Sequence, residues 1–235
     1  MRMPRFDEPL LTEPASNVLD RLGLDVPSRP ALPLLVDPEG PPVVDPLDEP
    51  LVELDGGRVG ILGNYRLAGW EHARDGCRLR ASVADRLYQV ADGLPDLWGL
   101  AVFDGWRSLA LQDELYRAAY ADPDLPPGFF AEPDNNPAFP PPHLTGGTVD
   151  LTLTVNGIPL APGTGFDDLS PLARTDALEG TEGSDRAVRR LLYWSMRRAG
   201  FVVYDGEWWH FEFGTRRWAA LTGSAPLFGP VEADG

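Results

Sequence analysis

The chain has 235 residues, 43% hydrophobic and 24% charged, proportions that suit one well-cored globular domain and favour neither the disordered nor the membrane class. Its net charge of −16 leaves no concentrated positive patch, which argues against nucleic acid or an anionic membrane as a partner. No run approaches the roughly 20 apolar residues of a membrane span, Cys77 stands alone so no intrachain disulfide can form, and residues 1–7 lack a signal-peptide pattern, so a cytoplasmic location is expected.

Residues 1–50 are rich in proline and acidic groups, as in Asp25-Val26-Pro27-Ser28-Arg29-Pro30, and read as an extended arm with at most a short turn at 15–22. A folded unit is expected over 51–217, with a tail at 218–235. Val83, Leu87, Val90 and Leu94 recur at helical spacing and predict a helix from Ala81 to Leu94 with one buried stripe. The apolar run from Leu97 to Phe103 predicts a strand that ends at the turn signal Asp104-Gly105, so Arg107 emerges beyond its C-terminal end. Ser108 is a suitable N-cap for a helix to about Tyr120, with Leu111, Leu115 and Ala118 inward.

Eight prolines between positions 122 and 142 predict a stiff loop, and a loop of that length is often functional. Val149, Leu151, Leu153 and Val155 then alternate with Asp150, Thr152 and Thr154, the period of a strand with one apolar and one polar face. Asn156-Gly157 is a hairpin turn, and Ile158-Pro159-Leu160 returns. A helix from Ser184 to Ala199 buries Val188, Leu191, Leu192 and Met196 and stops at Gly200. Phe201–Tyr204 and Trp208–Phe213 form a closing hairpin around Asp205-Gly206, with Glu207 at the start of its second strand. The mixed order predicts a single α+β domain, a mainly antiparallel sheet with helices packed on it.

Two of the three histidines sit in defined settings, His143 before Gly146-Gly147 and His210 in Glu207-Trp208-Trp209-His210. A catalytic zinc takes three protein ligands, commonly imidazoles and a carboxylate, and keeps a fourth position open. His143, Asp150 and His210 can supply that set for one Zn2+, because the paired glycines let the chain turn between the first two. Glu207, three residues before His210, can then act as general base on a water activated by the metal. Trp208 and Trp209 can wall the site, although either suits core packing equally well. Each polar residue taken alone also suits a structural role: a satisfied histidine, or an aspartate capping a turn.

The block from Pro141 to Asp150 resembles the Ser-x-His-x-x-Gly-x-Ala-x-Asp signature of the VanX-type D-alanyl-D-alanine dipeptidases, a family grouped with lysostaphin and the hedgehog signalling domain. Glu207-Trp208-Trp209-His210 is similar to the second signature of that family, Asp104-Gly105-Trp106-Arg107 to its Asp-Gly-Tyr-Arg segment, and Gly165-Phe166-Asp167 to its Gly-x-Phe-Asp region. The resemblance implies a zinc peptidase in which Arg107 stabilises the oxyanion, Asp167 receives the free ammonium of a small dipeptide, and Trp208 borders the substrate. Pro141 and Thr148 depart from the signature, which bears on the preferred dipeptide and leaves the metal set intact. Two other readings are a D,D-carboxypeptidase or related peptidase of peptidoglycan stems, and a non-catalytic metal-binding or peptide-binding module. The absence of a leader and the presence of Asp167 weigh against the first, and the retention of Glu207 against the second.

Overall fold

The computed structural model describes residues 6, 8–121, 123, 125 and 130–232. The alternating segment becomes strand β6 (Thr148–Val155), the centre of the sheet. One edge of β6 pairs antiparallel with β5 (Trp98–Asp104). Its other edge is shared: Thr148–Asp150 pair with β9 (His210–Glu212), and Thr154–Val155 pair with β7 (Ile158–Ala161) across the Asn156-Gly157 turn. β8 (Val202–Val203) continues antiparallel from β9, whereas β3 (Val59–Ile61) and β1 (Glu13–Pro14) add parallel pairings to β5 and β7. The sheet is mainly antiparallel and the domain α+β, as the element order requires. A separate two-stranded ribbon joins β2 (Leu51–Glu53) to β4 (Arg78–Arg80).

Helix α3 (Ala81–Asp92) buries Val83, Leu87 and Val90, and α5 (Ser184–Arg198) buries Val188, Leu191, Leu192 and Met196, so the periodicity located both packed stripes. In α4 (Leu109–Ala119) the Ser108 hydroxyl accepts the Leu111 amide, as an N-cap should, but the inward residue of the last turn is Ala119 while Ala118 is only partly covered. The polar face of β6 is not at solvent: all eight of its residues are buried, because strands cover both edges and packed structure covers both faces. Thr152 meets the cost of burial by donating to the Leu160 carbonyl at 2.7 Å.

The N-terminal segment departs from the expected arm. Ala15–Leu22 forms a helix, α1, whose Ala15, Val18 and Leu19 enter the common core, and β1 just before it extends the sheet. Prolines concealed this because α1 packs against α5, a contact between segments remote in sequence. Residues 25–50 are largely extended, yet Val43 donates its amide to Ala138 and Leu47 to Leu227. The tail is likewise packed: Phe228 is fully buried and Val231 donates its amide to Leu144. Packing therefore does not stop at either expected boundary, near 50 or 217. Among the described residues no helix is long and apolar enough to cross a membrane. The reading of residues 1–7 as free of a signal falls outside the described residues except at Phe6, and so does the part of the proline loop at 126–129.

Candidate metal centre

Register assembles the centre. Asp104, Asp150 and His210 are cross-strand partners on β5, β6 and β9, so three polar residues remote in sequence lie in one row across the sheet. A register irregularity between Val102 and Asp104 brings Asp104 opposite Asp150. His143 comes from a single 3-10 turn, Pro142–Thr145, which ends at Gly146 with φ 71°. At Gly147 a Cβ would lie 2.5 Å from the Phe213 carbonyl oxygen, so only glycine lets this turn approach the end of β9. Arg80 holds the turn from behind by donating to the Thr145 carbonyl at 2.8 Å.

His143, Asp150 and His210 are buried, and one ligand atom from each lies within 4.8 Å of the others. The hydrogen bonds set the tautomers. His143 Nδ1 lies 2.7 Å from the Gly105 carbonyl and must donate to it, which leaves Nε2 bare, 3.3 Å from Asp150 Oδ2. His210 Nε2 lies 3.0 Å from Glu212 Oε1 and donates there, leaving Nδ1 bare, 3.0 Å from Asp150 Oδ1. That Asp150 oxygen is buried with no properly aligned hydrogen bond. Three acceptors thus converge with no proton assigned between them, an arrangement that a bound cation relieves. The three groups can hold one metal ion. With no metal a proton takes that place: burial acts to lower the pKa of His210, but Asp150 and Glu212 outweigh it and push it up to about 10. Burial acts to raise the pKa of Asp150, and the two imidazoles hold it well below the usual carboxylate range.

Behind His210 stands a support that no motif indicated. Glu212 is fully buried, and besides His210 it accepts hydrogen bonds from Thr215 and Arg217. A carboxylate behind a ligating imidazole fixes its ring and raises its basicity. Glu212→Gln should therefore weaken metal affinity by about 10–100-fold, read by competition with a chromophoric chelator. Unchanged affinity would reduce Glu212 to a packing residue.

Glu207 lies in the loop ahead of β9, not in the strand; regular pairing starts only at His210. Its Oε2 is 3.6 Å from His210 Nδ1. Burial, opposed by His210 and reinforced by Asp150, pushes its pKa up to about 7. The loop is held by hydrogen bonds from the Thr175 amide to the Asp205 carbonyl and from the Trp208 amide to the Ala173 carbonyl, at 3.0 Å each. Trp208 does not border the cavity. It is buried, donates to Thr164 Oγ1 at 2.8 Å, and lies beneath the Arg189 guanidinium, so it stiffens the loop from the core side. Trp209 packs against Phe166 in the same layer.

On the opposite side Arg107 donates from Nε to Asp104 Oδ2 at 2.9 Å and from one terminal nitrogen to Gln112 Oε1 at 2.9 Å. Its other terminal nitrogen is 3.8 Å from Asp150 Oδ2 and donates to the Tyr65 hydroxyl at 3.3 Å. Tyr65 in turn donates to Asp167 Oδ2 at 2.8 Å. Asp167 sits in the left-handed region at φ 55°, a conformation that Asp tolerates better than most residues. Burial first, then the charges of Glu207 and Asp150, raise its pKa well above the usual value. All of the expected polar site residues thus line one cavity of about 140 Å³, together with Asp37, Tyr65, Gln112, Tyr204 and Arg217. Tyr65 carried no signal, since it lies in a short helix, α2 (Asn64–Ala68), that no periodicity marked. Asp104 stood inside a recognised motif without a role, and its work as partner of Arg107 needed the fold.

Bare imidazole and carboxylate acceptors beside a buried carboxyl, facing a fixed guanidinium, are the groups that a metal-dependent hydrolase requires. Residues 94–221 match the family model of the M15 peptidases, described as D-ala-D-ala dipeptidase, and since this is more than half of the chain, the protein belongs to that metallopeptidase family. It is similar to the D-alanyl-D-alanine dipeptidase of Synechocystis sp., at 29% identity over 84% of this chain and 92% of the relative. It is also similar to the D-alanyl-D-alanine dipeptidase of Streptomyces coelicolor, at 39% identity over 29% of this chain and 35% of that one. Among solved structures there is a distant likeness to a zinc-bound mutant of the vancomycin resistance D,D-pentapeptidase VanY from a VanB-type cassette. It has a TM-score of 0.42 and 18% identity, and covers 78% of this chain and 90% of that one.

Proposed function

We propose that this peptidase is a zinc-dependent dipeptidase that hydrolyses D-Ala-D-Ala or a related small dipeptide containing D-residues. One Zn2+ would be held by His143 Nε2, Asp150 and His210 Nδ1. The observation that carries the reading is the convergence of these acceptors inside a cavity of about 140 Å³. That is well below the roughly 300–1,000 Å³ of sites for drug-sized ligands, and it suits a substrate of few atoms.

Bound there, zinc supplies Lewis acidity and makes a water acidic enough to lose its proton near neutral pH. The residues of the chain do the rest. Glu207 Oε2, 3.6 Å from His210 Nδ1, takes the proton from the attacking water and returns it to the departing amine. Arg107, held rigid by Asp104 and Gln112, presents its guanidinium where negative charge grows on the scissile carbonyl. Asp167, with Tyr65 to orient it, takes the substrate ammonium, which supplies the positive charge that this buried carboxyl lacks.

Free D-alanine released from D-Ala-D-Ala by zinc-loaded protein, with and without a chelator, tests the reading; no release would refute it. A panel of L,L, D-containing and N-acetylated dipeptides should show strong discrimination against acetylation. Asp167→Asn should reduce that discrimination by about 10–100-fold, mainly through a higher KM for free-amine substrates, the range expected when a charged hydrogen bond is lost. Equal discrimination in the variant would remove Asp167 from the anchor role.

A further inference from the structure

Among the described residues, the N-terminal segment reaches the catalytic cavity at Asp37 alone. Its carboxylate grips Arg217 with both oxygens, at 2.6 Å from Nε and 3.4 Å from a terminal nitrogen. Arg217 stands at the start of α6 (Arg216–Thr222), lies 4.2 Å above the Tyr204 ring, and donates to Glu212. The strap around Asp37 is fastened independently. Arg216 donates to the carbonyls of Gly40 and Pro41, and a side chain at position 40 would collide with the Arg216 carbonyl. Val43 is tied by its amide to Ala138 on the proline-rich loop.

Beyond Asp37 and Arg217 lies a second recess, of about 480 Å³, between the strap and that loop. The two cavities share Asp37, Ala131, Pro142 and Arg217 in their walls. The ion pair therefore stands in the wall that a chamber of dipeptide size shares with a recess more than three times larger. Asp167 with its partners Tyr65 and Arg107 forms one group in the chamber, and Arg217 with Tyr204, Glu212 and Asp37 forms another. On the dipeptidase reading the amine goes to the Asp167 group, which leaves the carboxyl end for the Arg217 group beside the shared wall. The segment also precedes residues 94–221, where the match to the family lies.

We propose that Asp37 is a specificity-determining residue: by locking Arg217 across the junction of the two cavities it excludes peptides extended beyond the second residue at the carboxyl end. This rests on the dipeptidase reading for the orientation of the substrate. In the Asp37→Ala protein the junction opens, and a C-terminal extension passes into the outer recess.

The test compares kcat/KM for D-Ala-D-Ala, D-Ala-D-Ala-Gly and N-acetyl-D-Ala-D-Ala in zinc-loaded wild type, Asp37→Ala and Gly40→Ala. The last variant displaces the strap and keeps every side chain of the cavity. Both variants should raise the ratio of tripeptide to dipeptide activity by about tenfold or more, without improving the acetylated substrate, whose clash is at Asp167. A ratio unchanged in both variants overturns the proposal, and so does an equal gain on the acetylated substrate, which would mean general loosening. If the wild type cleaves a different dipeptide and leaves D-Ala-D-Ala intact, the substrate reading fails. The same ratio, measured on that dipeptide and its C-terminal glycine extension, then decides the role of Asp37.

Discussion

Glu207→Gln should lower kcat on D-Ala-D-Ala by about 10²–10⁴-fold while bound zinc is unchanged, the range that general acid–base groups contribute. Glutamine preserves the shape of the loop and removes only the ability to take a proton. The same substitution should stabilise the metal-free protein. Because the pKa of Glu207 rises on folding, from 4.5 to about 7, protonation favours the folded state. That contribution is complete below pH 4.5 and is lost as the pH climbs through 7. At pH 8 the wild type carries a buried charge at a cost of up to roughly 3 kcal/mol, and glutamine does not. Thermal melts of the two metal-free proteins at pH 5 and pH 8 should therefore diverge mainly at the higher pH. An active Glu207→Gln protein would remove the base assignment and leave the metal site standing. An inactive variant with no gain in stability at pH 8 would mean that the folded site neutralises Glu207 by other means.

The second large effect is expected at Asp150. Asp150→Asn should weaken zinc binding by more than about 100-fold, beyond the range for groups that merely support a ligand. It should abolish peptidase activity at micromolar zinc. Asparagine is nearly isosteric but presents no charge to neutralise the metal, Arg107 or the two imidazoles. Competition with a chromophoric chelator gives the affinity, and a melt of the metal-free variant separates this effect from unfolding. Wild-type affinity in Asp150→Asn would show that the two histidines suffice and that the carboxylate serves Arg107 instead. Glu212→Gln, with its smaller expected loss, calibrates the comparison, because its carboxylate touches the ligand and not the metal.

The sequence was most legible where chemistry and spacing coincide. His143, Asp150, Glu207 and His210 belong to short motifs, and the fold brings all four to one cavity. The packed stripes of α3 and α5 were readable because a helix with one buried face repeats apolar residues every three or four positions. Trp208, expected beside the substrate, lies on the core side of its loop for the complementary reason. An indole beside a ligand motif can face either side of its loop, and the hydrogen bond to Thr164 turns this one inward.

By itself, then, the sequence determined most of the element types and singled out His143, Asp150, Glu207 and His210 as one group, since these follow from residue identity and local period. Only the tertiary structure decided which groups surround them. Register placed Asp104, Asp150 and His210 in one row, α2 brought Tyr65 between Arg107 and Asp167, and Glu212 came to stand behind His210. The clearest case is the proline-rich N-terminus. Its extended conformation was legible from proline, which lacks a backbone donor and restricts φ. Its role was not, because the ion pair of Asp37 with Arg217 joins residues 180 positions apart, and no local pattern encodes such a contact.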